Sequence, residues 1–232
     1  MENDEEGLTV DFNNKLVVKG RKKVIYCDAG YGFPTEAKPR RERVLAVAKQ
    51  IVNFLVWQTE SSTDDLAEIV ICDCDQQCRT AVEDRMKQLL KSSLPTHVTF
   101  STDSLVSLSS QDVVYLSPDA DEMLDPTKEP PDHVVVGLLV DRRIQPNRSK
   151  RQAESLGLPC ARLALEAFNM DDCEPLNVDT VLVGMQQCWW NCQKGEEPLQ
   201  ECFMKAVETT MQQHIARHPN RPLHKMIPTQ EH

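Results

Sequence analysis

The chain has 232 residues, with 26 basic and 36 acidic side chains and a formal charge of −10. That length fits one large domain or two small ones, and 40% apolar with 27% charged residues excludes a wholly disordered chain. The acidic balance excludes a general nucleic-acid coat, whose affinity comes from a Lys/Arg field, but leaves room for local basic patches.

The longest apolar run, Val134 to Val140 with Gly137 inside it, is far shorter than the roughly 20 residues of a membrane span. The acidic start, Met1 to Glu6, reads as neither a signal nor a transit peptide. Nine cysteines follow no secreted-scaffold spacing, and Cys72, Cys74 and Cys78 lack a second pair at zinc-finger distance. They read as reduced thiols packed as small hydrophobes, with no metal expected.

In chain order, residues 1–20 are polar and aperiodic and read as a mobile or loosely packed leader. Lys23 to Asp28 is an apolar run closed by the Gly/Pro loop Ala29 to Pro34, a strand then a turn. Val44, Val47, Ile51 and Leu55 follow at helical spacing. Ala67 to Cys72 is a second strand, and Cys78, Val82, Met86 and Leu89 mark a second helix. Val98 to Phe100, Val113 to Leu116 and Val134 to Val140 are three further strands. Ser149 to Leu156 is a short helix ending at Gly157, and Ala161 to Leu165 is a last strand. Val178, Val181, Leu182, Met185 and Trp189 give a helical stripe with Asn177 as N-cap. Leu199, Phe203, Val207, Met211 and Ile215 give the final helix, and 218–232 is a polar tail. Residues 21–217 therefore read as one domain. Continuous apolar strands alternating with helices predict an α/β fold, a parallel sheet covered by helices on both faces. Gly137 inside its run marks a close approach by a ligand or another segment.

Ligands in open α/β sheets bind beyond the carboxyl ends of strands. Three loops qualify: Ser117 to Asp121, the segment from Asp141, and the stretch from Leu165 to Leu176. Asp119 and Asp121 also suit the start of a helix. Asp141 ends the most apolar run and faces Arg142, Arg143, Arg148, Lys150 and Arg151, five cations against one acid over residues 141–151. A carboxylate there suits a general base or a substrate anchor, with a salt-bridged surface loop as the alternative. Lys19 to Lys23 and Lys38, Arg40, Arg41 and Arg43 form two more basic clusters. Cations are unfavourable in the first turn of a helix, so the second cluster suggests a phosphate partner, with a plain solvated face as the alternative. No G-x-G-x-x-G, P-loop, H-E-x-x-H or G-x-S-x-G is present.

Val114-Tyr115-Leu116-Ser117-Pro118-Asp119, Val136-Gly137-Leu138-Leu139-Val140-Asp141 and Ala161-Arg162-Leu163-Ala164-Leu165, followed by Leu176-Asn177-Val178-Asp179, resemble the tRNA (guanine-9-N1)-methyltransferases, a monomeric branch of the SPOUT class. The family reads "YLTSDS", "GGLVD" and "ARLPL" at these places, so Pro118, Leu138 and Ala164 are departures. The basic extension common in the family is absent or much reduced here.

The resemblance implies a C-terminal trefoil knot of the SPOUT type. It implies S-adenosylmethionine held by Leu116, Gly137, Asp141, Arg142, Arg143, Ile144, Gln145, Ser149, Leu163 and Leu176. It makes Asp141 the candidate general base for methylation of N1 of a purine at tRNA position 9. Guanine is favoured; adenine stays open. The tRNA phosphates would meet Lys38, Arg40, Arg41, Arg43, Arg142, Arg143, Arg148, Lys150 and Arg151. A monomer is implied. Cytoplasm or nucleus is the expected compartment, with the mitochondrion left open; no membrane partner is expected, and there is room for a partner protein that supplies positive surface. Two alternatives stay open: a non-catalytic knotted RNA-binding subunit of a tRNA-processing complex, and an α/β enzyme binding a small anion at 141–151.

Overall fold

A computed structural model describes residues 9–10, 16–17, 22–61, 65–110, 112–125, 128–140, 145–163, 176–194 and 198–217. Inside the aperiodic leader, β1 (Thr9–Val10) pairs antiparallel with β2 (Leu16–Val17), a short ribbon that polarity alone did not announce. The expected strands become β3 (Val24–Asp28), β4 (Glu68–Cys72), β5 (Val98–Phe100), β6 (Val113–Leu116), β8 (His133–Gly137) and β9 (Cys160–Arg162), and an unexpected β7 (Glu122–Met123) lies between β6 and β8 in the chain. These seven form one parallel sheet in the order β5-β4-β3-β8-β6-β9-β7. β7 carries only two exposed residues, too few for a periodic signal.

The helices are α1 (Ala37–Glu60), α2 (Gln76–Leu90), α3 (Arg148–Leu156), α4 (Val178–Lys194) and α5 (Leu199–Arg217). Asp75 caps α2 by accepting from the Cys78 amide. α3 stops at Gly157, whose positive φ of 67° suits a residue without Cβ. Successive strand residues point to opposite faces. Ile25, Cys27, Ile69, Ile71, Val134 and Val136 meet the apolar stripes of α1, α2, α4 and α5. Val113, Tyr115, Val135 and Cys72 pack with Leu105, Ala153 and Leu158 on the other face, under α3 and the 3-10 turn Leu105–Ser110. Full burial of side chains such as Ile51 and Phe54 stabilises by about 1.5–3 kcal/mol each.

The sheet marches from β3 through β4 to β5 in one direction, and the later strands fill the other. β8 sits between β3 and β6, so the point where the winding reverses lies at β3 and β8. That is where open α/β sheets bind ligands. The run expected to continue to Val140 leaves the sheet at Gly137. The Leu138 amide still donates to the Asp28 carbonyl at 2.8 Å, but the Val140 amide turns back to the Leu138 carbonyl at 3.2 Å. Asp141 therefore lies four residues beyond the strand end rather than on it. Threading through a knot would involve residues 141–144 and 164–175, which fall outside the described residues.

Candidate active site at the carboxyl edge of the sheet

Parallel strands deliver their carboxyl ends to one edge. Leu116 at the end of β6 is paired with Val136 of β8 and Ala161 of β9. Gly137 closes β8, and Leu163 follows β9 and packs half-buried against the core. Three of the expected cofactor residues are thus brought to neighbouring strand ends. Ser149, at the start of α3, shares a 2.7 Å hydrogen bond with Ser117, the residue after β6. Leu176 is half-buried just before α4, and Gln145 is exposed and accepts from Arg148. Asp141, Arg142, Arg143 and Ile144 lie outside the described residues.

The loop after β6 and the loop before α3 are laced together. Besides the serine pair, Asp119 accepts from the Asn147 amide at 2.8 Å, and Asp121 pairs with Lys150 at 2.8 Å. The two aspartates do not start a helix; they hold the second loop.

The basic residues divide. Lys38, Arg41 and Arg151 are exposed and remain available to phosphates. Lys150 is held by Asp121. Arg148 stacks 5.3 Å over the Tyr31 ring and donates to the Tyr31 carbonyl at 3.1 Å. Arg40 donates to the carbonyls of Pro34 and Thr35, both at 2.8 Å, and to Gln77. Arg43 corrects the expectation most clearly. It is 8% exposed, and its guanidinium donates to the Val140 carbonyl at 3.0 Å and the Leu138 carbonyl at 3.2 Å. A buried guanidinium so engaged is turned away from any surface phosphate. Of the other cluster, Lys22 pairs with Glu68 and Lys23 with Asp132.

Next to Gly137 lies a group that the motif reading passed over. Asp28, the last residue of β3, is fully buried. One carboxylate oxygen accepts from the Gly30 amide at 2.7 Å, and the other accepts from the Tyr115 hydroxyl at 2.7 Å. The Gln152 side-chain amide lies nearby and favours the ionised form slightly. The Tyr115 hydroxyl lies 2.6 Å from that of Tyr31. With the proton of Tyr115 directed to Asp28, Tyr31 donates to Tyr115. Burial raises the Asp28 carboxyl above its ordinary value, although its hydrogen bonds oppose this. Burial, then the neighbouring Asp28, raises the Tyr115 phenol.

Both phenols cross Gly137. A Cβ there would come within 2.7 Å of Tyr31 Oη and 3.1 Å of Tyr115 Oη. The close approach expected at Gly137 is therefore made by this tyrosine pair, and any cofactor contact at Gly137 falls to its backbone. Part of the signal for Asp28 was present: it ends an apolar strand as Asp141 ends an apolar run, but it lacks the following cations that singled out Asp141.

The sequence matches the family described as tRNA (guanine(9)-N(1))-methyltransferase TRM10/TRM10A over residues 40–203, well over half of the chain. The chain belongs to that family. A curated TRM10 relative, tRNA methyltransferase 10 homolog B of Danio rerio, is 33% identical over 78 residues. That match covers 34% of this chain and 25% of the relative, so the chain aligns to only a quarter of the relative's length. Among solved structures, spTrm10(74) superposes with a TM-score of 0.58 at 18% identity, covering 79% of this chain and 92% of that one. A full-length spTrm10 complex with SAH gives 0.58 at 17% identity, covering 80% and 94%. A dual-specific Trm10 from Thermococcus kodakaraensis gives 0.52 at 14%, covering 79% and 99%. These three likenesses establish the TRM10 fold for this chain.

Proposed function

We propose that the chain methylates N1 of the purine at position 9 of tRNA, guanine by preference, using S-adenosylmethionine, with Asp141 as general base. The TRM10 family match over residues 40–203 carries this reading. A solved relative of the same fold is an SAH complex. The strand-end chemistry fits a nucleoside cofactor: Leu116 and Leu163 offer apolar contact at adjacent strands. When bound, the cofactor supplies an electrophilic methyl on a sulfonium.

The residues of this chain have three tasks. Leu116, Ser149, Leu163 and Leu176 would hold and orient the cofactor from loops fixed to the sheet and to α3. Asp141 would take the N1 proton of guanine, since nitrogen must release it as the methyl arrives; a positioned base contributes roughly 10²–10⁴-fold. Lys38, Arg41 and Arg151 would contact phosphates and help offset the few kcal/mol of unstacking the target base. Adenine N1 carries no proton, so an adenine target would depend little on Asp141.

Single-turnover methylation of tRNA with Asp141→Asn tests the role. The expected rate falls by about 10²–10⁴-fold with cofactor binding retained; a wild-type rate removes Asp141 from the chemistry. Titration calorimetry with S-adenosylmethionine tests the class, since absence of binding would favour a non-catalytic RNA-binding subunit.

A further inference from the structure

We propose that Arg43 is a positioning residue for methyl transfer: from α1 it fixes the direction in which the chain leaves β8 toward Asp141. This rests on the reading of Asp141 as base and of residues 141–145 as part of the cofactor loop.

The first support is the fork itself. Arg43 is 8% exposed and reaches two carbonyls, Val140 at 3.0 Å and Leu138 at 3.2 Å. A guanidinium cannot shed its charge on burial, and its rigid planar donors span two acceptors at once. Charge-assisted hydrogen bonds of this kind are roughly twice as strong as neutral ones. The second support is the turn. Leu138 is tied to β3 through its amide bond to the Asp28 carbonyl, and the Val140 amide folds back on Leu138. Arg43 takes the outward carbonyls, so the turn is held from the sheet on one side and from α1 on the other. The third support is that α1 is itself anchored. Gln50 accepts from the Asp179 amide at 3.0 Å, and Asn53 donates to the Asp179 carboxylate at 2.9 Å, which ties α1 to the start of α4. Arg43 thereby couples a clamped helix pair to the residue immediately before Asp141. Displacing a reacting group by about 1 Å can lower a rate by about 10²-fold.

The test uses the full chain with Arg43→Gln and Arg43→Lys. Hydrogen–deuterium exchange over residues 138–145 reads the hold on the turn. Single-turnover methylation at saturating S-adenosylmethionine reads its consequence, and the salt dependence of tRNA binding separates positioning from phosphate contact. With glutamine, exchange should rise about tenfold in this segment alone, and the rate should fall about 10- to 100-fold, with an unchanged salt slope. Lysine, a compact point charge without the planar fork, should restore only part of the rate. Unchanged exchange at the turn overturns the proposal. So does a lost rate accompanied by a salt slope flatter by about one unit, the mark of a phosphate contact. If the glutamine variant does not fold, the lysine variant carries the same comparison. A wild-type chain that transfers no methyl to tRNA defeats the proposed function, and the exchange measurement still decides whether Arg43 holds the turn.

Discussion

The two ends of one sheet handle buried polarity in opposite ways. At the amino edge the groups close on one another. Gln186 accepts from the Ala67 amide at 2.8 Å and from Gln58 at 3.2 Å, and it donates to the Asp65 carbonyl at 3.1 Å. His97 meets Gln58, Trp189 donates to the Pro131 carbonyl, and Lys23 pairs with Asp132. At the carboxyl edge a fully buried carboxylate is held by one phenol and a backbone N–H, with no cation bonded to it among the described residues. Amides that satisfy one another fix a structure with little dependence on pH. A carboxylate buried without a counter-charge keeps a protonation choice, and such groups concentrate at functional sites. The sheet is locked at one end and chemically adjustable at the other.

Three changes probe that contrast. The largest effect should come from Gly137→Val, because the added carbons meet two phenols already in contact with each other. Overpacking of this kind costs about 3 kcal/mol, and urea denaturation should register it together with loss of cofactor binding. A stable variant with normal binding would mean that the phenol pair yields easily.

At the locked edge, Gln186→Ala removes the acceptor shared by the Ala67 amide and the Gln58 side-chain N–H. It should cost about 2 kcal/mol in the same denaturation experiment and leave the single-turnover rate unchanged. A lost rate would show that the amino edge is not merely structural.

The smallest effect, and the one with a sign, belongs to Asp28→Asn. Burial raises the folded-state pKa of Asp28 above its unfolded value of about 3.9. Its contribution to stability is therefore fully present below that unfolded value and is lost as pH rises through the folded one. Thermal melts should show the wild type falling relative to the Asn variant as pH rises from about 4. Parallel pH curves would place Asp28 among groups with no protonation change on folding.

Much of this was legible beforehand for physical reasons. Strands buried on both faces are written as nearly unbroken apolar runs, and most of the sheet strands were found that way; Thr99 and Arg162 interrupt the two shortest that were expected. β7 escaped because two exposed residues carry no period. The loops at the strand ends were legible from the sheet class, and the lacing of Ser117, Asp119 and Asp121 to α3 draws two of them together. Arg43 was misread because a run of cations suggests a surface. Its position, four residues before Val47 and eight before Ile51, puts it on the buried stripe of α1. The Asp28–Tyr115 bond joins residues 87 apart, and nothing local in either segment announces the other.

The placement of β8 between β3 and β6 also has a consequence during synthesis. Val24 of β3 pairs with Glu68 on one side but with His133 on the other. At about 5–20 residues per second, the second neighbour is made roughly 3–13 s after the first. For that interval a nascent chain carries an apolar strand with an open edge, the kind of surface that recruits stray strands. Crowding of unfinished chains is then a hazard this sheet order creates.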